Sequence, residues 1–212
     1  MIQLAALSGP PTTAAEAFKL LQANRVLGLV RLDLPTVLVM PLYYLLFLGL
    51  FAGLRRSSHT LATLGAAAAF VGVTLLLATP TGLSMLSISG MCAAATMEEA
   101  RDQLLAAGEA ILATDMWHGT GAILGGLLLE SGAVLICVAM LRSGAFGKST
   151  AYVGLVTHGL DLPHGALRPF LPRTSFVLMA IAGPLYLVWF AQVARSLLLL
   201  GSGPPHHGVQ SE

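Results

Sequence analysis

The stretch LPTVLVMPLYYLLFLGLFAGL, Leu34 to Leu54, contains no charged residue and is closed by Asp33 on one side and Arg55-Arg56 on the other. A bilayer's hydrocarbon core is about 30 Å thick, so crossing it takes about 20 apolar residues of helix. The stretch has that length, and Pro35 falls near its start, where a proline costs a helix least. It reads as a transmembrane helix, and the rest of the chain is read outward from it.

The composition agrees. Of 212 residues, 56% are hydrophobic and 10% charged, against about 25% charged in soluble domains. The mean hydropathy is +0.80. A formal net charge of +1 without a basic cluster gives no footprint for nucleic acid and leaves the lipid bilayer as the expected partner. Two cysteines, Cys92 and Cys137, with no CxxC, exclude a disulfide framework or a zinc knuckle. Met1 to Gly9 has no basic n-region, and Lys19 is the first positive charge, so the first hydrophobic span is expected to act as the insertion signal.

Four more windows of suitable length follow. They cover 60–80, 117–141 with Glu130 inside, 149–164 with His158, Asp161, Pro163 and His164, and 174–194 with Pro184, where a kink is expected. Tyr186 and Trp189 in the last read as part of an aromatic belt. Residues 12–32 interleave Ala17, Leu20, Leu21, Val26 and Leu27 with Glu16, Lys19, Arg25 and Arg31, the pattern of an amphipathic helix lying in the interface. Glu98 to Asp115 is a second such candidate, with Thr96 placed to cap it. The predicted fold is all-α: one membrane-embedded helical bundle over 1–200 with five transmembrane helices, an interfacial N-terminal helix and a flexible tail over 201–212.

Arg55-Arg56, Arg142 with Lys148, and Arg195 fall on one side of such a bundle, and Lys19, Arg25, Arg31, Arg101, Arg168 and Arg173 on the other. Raw counting does not decide, but cations in very short loops weigh most. That favours the N-terminus outside and the C-terminus in the cytoplasm. GLFAG at Gly49 to Gly53 and GAILG at Gly121 to Gly125 are GxxxG patterns, read as packing surfaces between helices of the bundle.

The chemistry rests with a few polar residues. Glu130 lies twelve residues before Arg142, about 18 Å along a helix, and His158 lies ten after Lys148, about 15 Å. An antiparallel hairpin then puts them at similar depth, as a pair. Asp161 and His164 follow His158 at helical i, i+3 spacing, and Asp115 and His118 repeat that spacing. The six residues Asp115, His118, Glu130, His158, Asp161 and His164 are candidates to line one outward-opening polar cleft. Three readings stand: a hydrogen-bond network fixing two helices together, a proton relay, or a site for a divalent transition metal. Lys19 and Lys148 lie outside the spans, which excludes a retinal protein, and no P-loop, GxSxG or HExxH occurs.

The segments LLAAGEAILA (Leu104 to Ala113), HGTGAIL (His118 to Leu124), VAMLRSGAFGKSTAYVGLV (Val138 to Val156) and GPLYLVWF (Gly183 to Phe190) resemble a family of bacterial multi-pass membrane proteins, known chiefly as a domain of unknown function with about six predicted helices. The resemblance covers most of residues 12 to 200 and implies a helical membrane fold in a bacterial inner membrane. It also implies a further hydrophobic helix ahead of those found here, and apolar residues where this chain has His158, Asp161 and His164. It brings no activity. The expected function is that of a non-enzymatic multi-pass protein, a small transporter-like or a lipid- or partner-binding accessory protein. The alternative is a metal-dependent intramembrane enzyme or proton-relay protein using the six polar residues.

Overall fold

The computed structural model describes residues 11–202 except Trp117. The N-terminal leader region, the 117 boundary of the third span and the tail from 203 onward lie outside the described residues. Those described are all helical: α1 (Ala14–Ala23), α2 (Arg25–Leu32), α3 (Leu34–Leu54), α4 (His59–Leu77), α5 (Gly82–Ala94), α6 (Glu98–Leu112), α7 (Thr120–Leu141), α8 (Lys148–Leu167) and α9 (Pro172–Gly201).

Four segments are long and apolar enough to cross a membrane: Leu34–Leu54, His59–Ala94, Thr120–Leu141 and Pro172–Gly201, with mean hydropathies of 2.2, 2.2, 2.2 and 1.9. The chain is therefore a helical membrane protein. The second segment counts through a break at Pro80, which has no N–H to continue a helix, so α4 ends at Leu77 and α5 starts at Gly82. The fourth predicted span, 149–164, is also a continuous helix, α8, but its Lys148, His158, Asp161 and His164 keep it out of the apolar set. Its buried side carries Thr150, Ala151, Gly154, Thr157 and His158, while Tyr152 and Val156 are exposed. Much of α8 thus meets protein rather than lipid, which lowers its need for apolar residues. α9 runs unbroken through Pro184 and continues past Arg195 to Gly201, seven residues beyond the expected end, because SLLLL contains nothing to stop it.

The contacts divide the chain into two compact units, Met1–Leu45 with Phe70–Leu129, and Leu46–Ala69 with Glu130–Glu212. In the first, Ala14, Ala17, Phe18 and Leu21 recur at i, i+3, i+4 and i+7 along α1 and pack with Leu32, Met85 and Leu112. Thr13 caps α1 by accepting the Glu16 N–H (3.2 Å), and the Glu109 carboxylate accepts the Ala14 N–H (2.8 Å). The single interfacial helix expected over 12–32 is two helices. Asn24 is extended (φ −158°, ψ 107°) and its side chain accepts the Leu27 N–H, ending one helix and starting the next. Met97, not Thr96, is the N-cap of α6, and no side chain caps it; Glu98 and Glu99 in the first turn complement the helix dipole instead.

Asp33 ends α2 and starts α5. It is 5% exposed, and its Oδ2 accepts the N–H groups of Thr81 (2.5 Å) and Gly82 (2.7 Å). Thr81 offers no side-chain cap of its own, so a distant carboxylate fills the place. A Cβ at Gly82 would sit 2.5 Å from Asp33 Oδ1, so the approach needs glycine.

Close approach also joins α4 to α7. In the first unit a Cβ on Gly72 would meet Leu129 N at 2.5 Å and Gly125 O at 2.6 Å. In the second, a Cβ on Gly65 would meet Gly132 O at 2.9 Å. Lipid tails are as apolar as leucine, so such helices are held by van der Waals contact, which glycine brings to backbone range. Of the two GxxxG patterns, Gly121 and Gly125 face Thr79, Gly72 and Leu76 within the first unit, and Gly49 and Gly53 face Leu197, Leu200 and Phe146 within the second. Both serve packing within a unit.

Two outcomes follow. Asp33→Ala should leave two backbone N–H groups without their acceptor, costing about 1–3 kcal/mol and speeding amide exchange at Thr81 and Gly82; unchanged exchange would remove Asp33 from the cap. Glu16 is held below its ordinary 4.5, chiefly because the Thr12 backbone N–H donates to it. A carboxyl with a depressed value stabilises above its unfolded value and stops doing so as pH falls through the folded one. Protection of the first α1 amides, relative to the unstructured rate at each pH, should therefore fall as pH drops below about 4.5, and that fall should be absent in Glu16→Gln.

Candidate functional site

Three helices of the second unit bring ionisable side chains together. Glu130 comes from the middle of α7, ten residues into it, and is 8% exposed; His158 comes from the buried side of α8 and is 2% exposed. His158 Nδ1 lies 2.6 Å from Glu130 Oε2. The pair expected from equal depth is thus in contact. Asp161, one turn further along α8, joins through a residue of α9: Tyr186 Oη lies 2.7 Å from Asp161 Oδ2 and 3.0 Å from Glu130 Oε2.

Counting hydrogens defines the state. The line Nδ1, Oε2, Oη, Oδ2 contains three contacts and needs one hydrogen in each. Imidazole Nδ1–H supplies one and the tyrosine hydroxyl a second. The third must reside on a carboxyl. With the acid hydrogen on Glu130, Oε2–H donates to Oη and Oη–H donates to Asp161 carboxylate. With it on Asp161, Oδ2–H donates to Oη and Oη–H donates to Glu130 carboxylate. Two ionised carboxylates would leave one contact with two acceptors facing each other, which a site away from water does not compensate. One hydrogen on either carboxyl, with His158 as its Nδ1–H tautomer, would give every contact in the line a donor.

The imidazole is locked by aromatic rings. Trp189, fully buried, lies edge to face with it at 4.5 Å between centroids and 87°, and Tyr186 does so at 5.2 Å and 81°. His158 Nε2 is buried without a hydrogen-bond partner; in the Nδ1–H tautomer it is a bare lone pair and not a stranded proton. Gly154, one turn before His158, lets Trp189 in, since a Cβ there would collide with Cys137 Sγ and Trp189 Nε1.

The other candidates have contacts of their own. His164 Nδ1 lies 2.9 Å from Ser175 O and 2.7 Å from Ser175 Oγ, and Ser175 Oγ donates to His164 O (3.1 Å). That clamp ties the end of α8 to the start of α9. Asp115 and His118 belong to the first unit, where buried Asp115 accepts the His118 N–H (2.8 Å) and faces its Nδ1 (3.0 Å), closing the turn ahead of α7. Of the six candidates, Glu130, His158 and Asp161 are brought together in the second unit, His164 pairs with Ser175, and Asp115 pairs with His118 within the first unit. Among the described residues no three of His, Cys, Asp and Glu are grouped to hold a metal ion.

Tyr186 is the member that reading by residue type misses. A belt residue sits at a span's end, but Tyr186 lies twelve residues after Thr174, about 18 Å into the helix. Depth was the available signal. The structure corrects the belt for Trp189 too, which is buried against His158.

Comparison with protein-family models, curated proteins and solved structures finds no match. The site is therefore read from its own geometry.

Tyr186→Phe should remove the bridge and leave two carboxyl groups facing an apolar ring edge. An expected loss of about 1–3 kcal/mol would appear as a lower melting temperature of the detergent-solubilised protein. Gly154→Ala should cost about as much, by forcing Trp189 and Cys137 apart.

Proposed function

We propose a small, non-enzymatic, transporter-like membrane protein in which Glu130, Tyr186 and Asp161 relay one proton, with His158 holding Glu130 in place. The observation that carries the reading is the tyrosine hydroxyl within hydrogen-bond range of both carboxyl groups. The relay is a balanced exchange. The proton on Glu130 Oε2 passes to Tyr186 Oη as the tyrosine's own hydrogen passes to Asp161 Oδ2, so one O–H bond breaks and one forms at each end, and the hydroxyl ends with the hydrogen count it began with. Net, a proton moves from the middle of α7 toward the α8–α9 connection, and the single negative charge moves from Asp161 to Glu130 in return.

Intramembrane carboxyl and imidazole groups in hydrogen-bonded lines are the usual parts of pumps and proton-coupled transporters. The metal-dependent alternative needs a third ligand beside Glu130 and His158, and Asp161 is engaged by Tyr186. A bacterial inner membrane follows from the family resemblance. Cations in the short connections after α3 and α7 favour the N-terminus outside; Asp161 then leads to the outer face.

The test is collapse of an imposed pH gradient in proteoliposomes, followed with a trapped pH-sensitive dye. Wild-type protein should collapse it faster than protein-free vesicles, Glu130→Gln and Asp161→Asn should fall to the protein-free rate, and Tyr186→Phe should slow it at least about tenfold, or about 1.4 kcal/mol in barrier. His118→Ala should behave as wild type. Equal rates for wild type and Glu130→Gln would end the relay reading.

A further inference from the structure

The geometry points to a binding site for one anionic glycerophospholipid in the second unit, at the junction of the α3 C-terminus with the end of α9. A groove of about 700 Å³ opens there, with Arg55 and Arg56 at its rim, Gly49 and Gly53 on one wall, and Leu197 and Leu200 on the other. Both arginines are exposed, and among the described residues neither forms an ion pair with a carboxylate. The only acids described in this unit, Glu130 and Asp161, are both taken up by the relay cluster. With no described carboxylate beside them, the two guanidinium groups are open to an anionic ligand.

The groove has the layout of a lipid. Gly49 lies six residues before Arg55, about 9 Å along the helix, which carries the slot from the charged rim into the apolar span. A Cβ on Gly49 would be 3.5 Å from Leu197, and one on Gly53 would be 3.2 Å from Phe146 and 3.4 Å from Leu200. The glycines therefore draw the leucines of α9 close to α3, and the groove above them has an apolar wall on each side. A phosphodiester fits the rim, since guanidinium pairs phosphate oxygens two at a time, and the first carbons of an acyl chain fit the apolar slot. Phe146 comes from the loop that carries Arg142 and Lys148, so more positive charge borders the same end. Basic pockets between transmembrane helices bind lipid head groups in this way. A zwitterionic lipid offers the same chain but cancels the attraction.

Native mass spectrometry of the full chain in detergent, titrated with phosphatidylglycerol or phosphatidylcholine, tests the site. One phosphatidylglycerol should be retained in preference to phosphatidylcholine. The Arg55→Gln, Arg56→Gln double variant should bind it about 30-fold more weakly, or about 2 kcal/mol. Gly49→Leu, which fills the slot and keeps both charges, should weaken it at least about tenfold. Arg195→Gln should change nothing. If the double variant fails to fold, as judged by loss of a cooperative melt, Gly49→Leu decides. Equal retention of the two lipids, or unaltered phosphatidylglycerol binding in Gly49→Leu, overturns the proposal.

Discussion

A hydrogen bond in a helical membrane bundle has no water to replace it. That constraint governs the line from His158 through Glu130 and Tyr186 to Asp161. Each polar atom there must find its partner on another helix, because an unsatisfied group in the hydrocarbon region costs several kcal/mol. The three helices α7, α8 and α9 are consequently fixed in rotation and depth relative to one another. The arrangement also accounts for α8, whose His158 and Asp161 would disqualify it as a free-standing span but meet Glu130 and Tyr186. Its hairpin with α9 is fastened again at the far end by His164 and Ser175.

Elsewhere the helices meet without polar groups. Gly65, Gly72, Gly125 and Gly132 bring α4 and α7 to backbone contact, and among the described residues no glycine has a positive φ. These glycines are there for the room they leave, not for a turn they permit. Leu38, Leu42 and Leu45 of α3, and Leu187 and Val188 of α9, are exposed, as lipid-facing side chains should be. The first unit adds a different device. Asp33, Glu109, Thr13 and Asn24 satisfy helix N-termini, where four N–H groups lack intrahelical partners.

The membrane spans were legible in the sequence because they depend on length and the absence of charge, properties a single chain displays directly. The contact of Glu130 with His158 was legible from depth, since two residues at similar distances from a short connection meet in an antiparallel hairpin. Tyr186 was not, because nothing in its own helix says which neighbour its hydroxyl faces. The same holds for Asp33, whose partners at Thr81 and Gly82 lie 48 and 49 residues away. Asn24 was a local signal passed over, as apolar periodicity runs on through it while its side chain competes for the backbone. The Ser175 partner of His164 was not legible either, because i, i+3 spacing fixes which face of a helix residues share, not what that face meets.

The central claim is that the line from His158 to Asp161 has a hydrogen in every contact, one of them on a carboxyl. Infrared difference spectroscopy of the protein in lipid measures it through the carbonyl stretch of a protonated carboxyl, which an ionised one lacks. The account predicts such a band for the wild type and its loss when Glu130→Gln and Asp161→Asn are combined. A wild-type spectrum without it would mean that both carboxylates are ionised, and would contradict the shared-proton account.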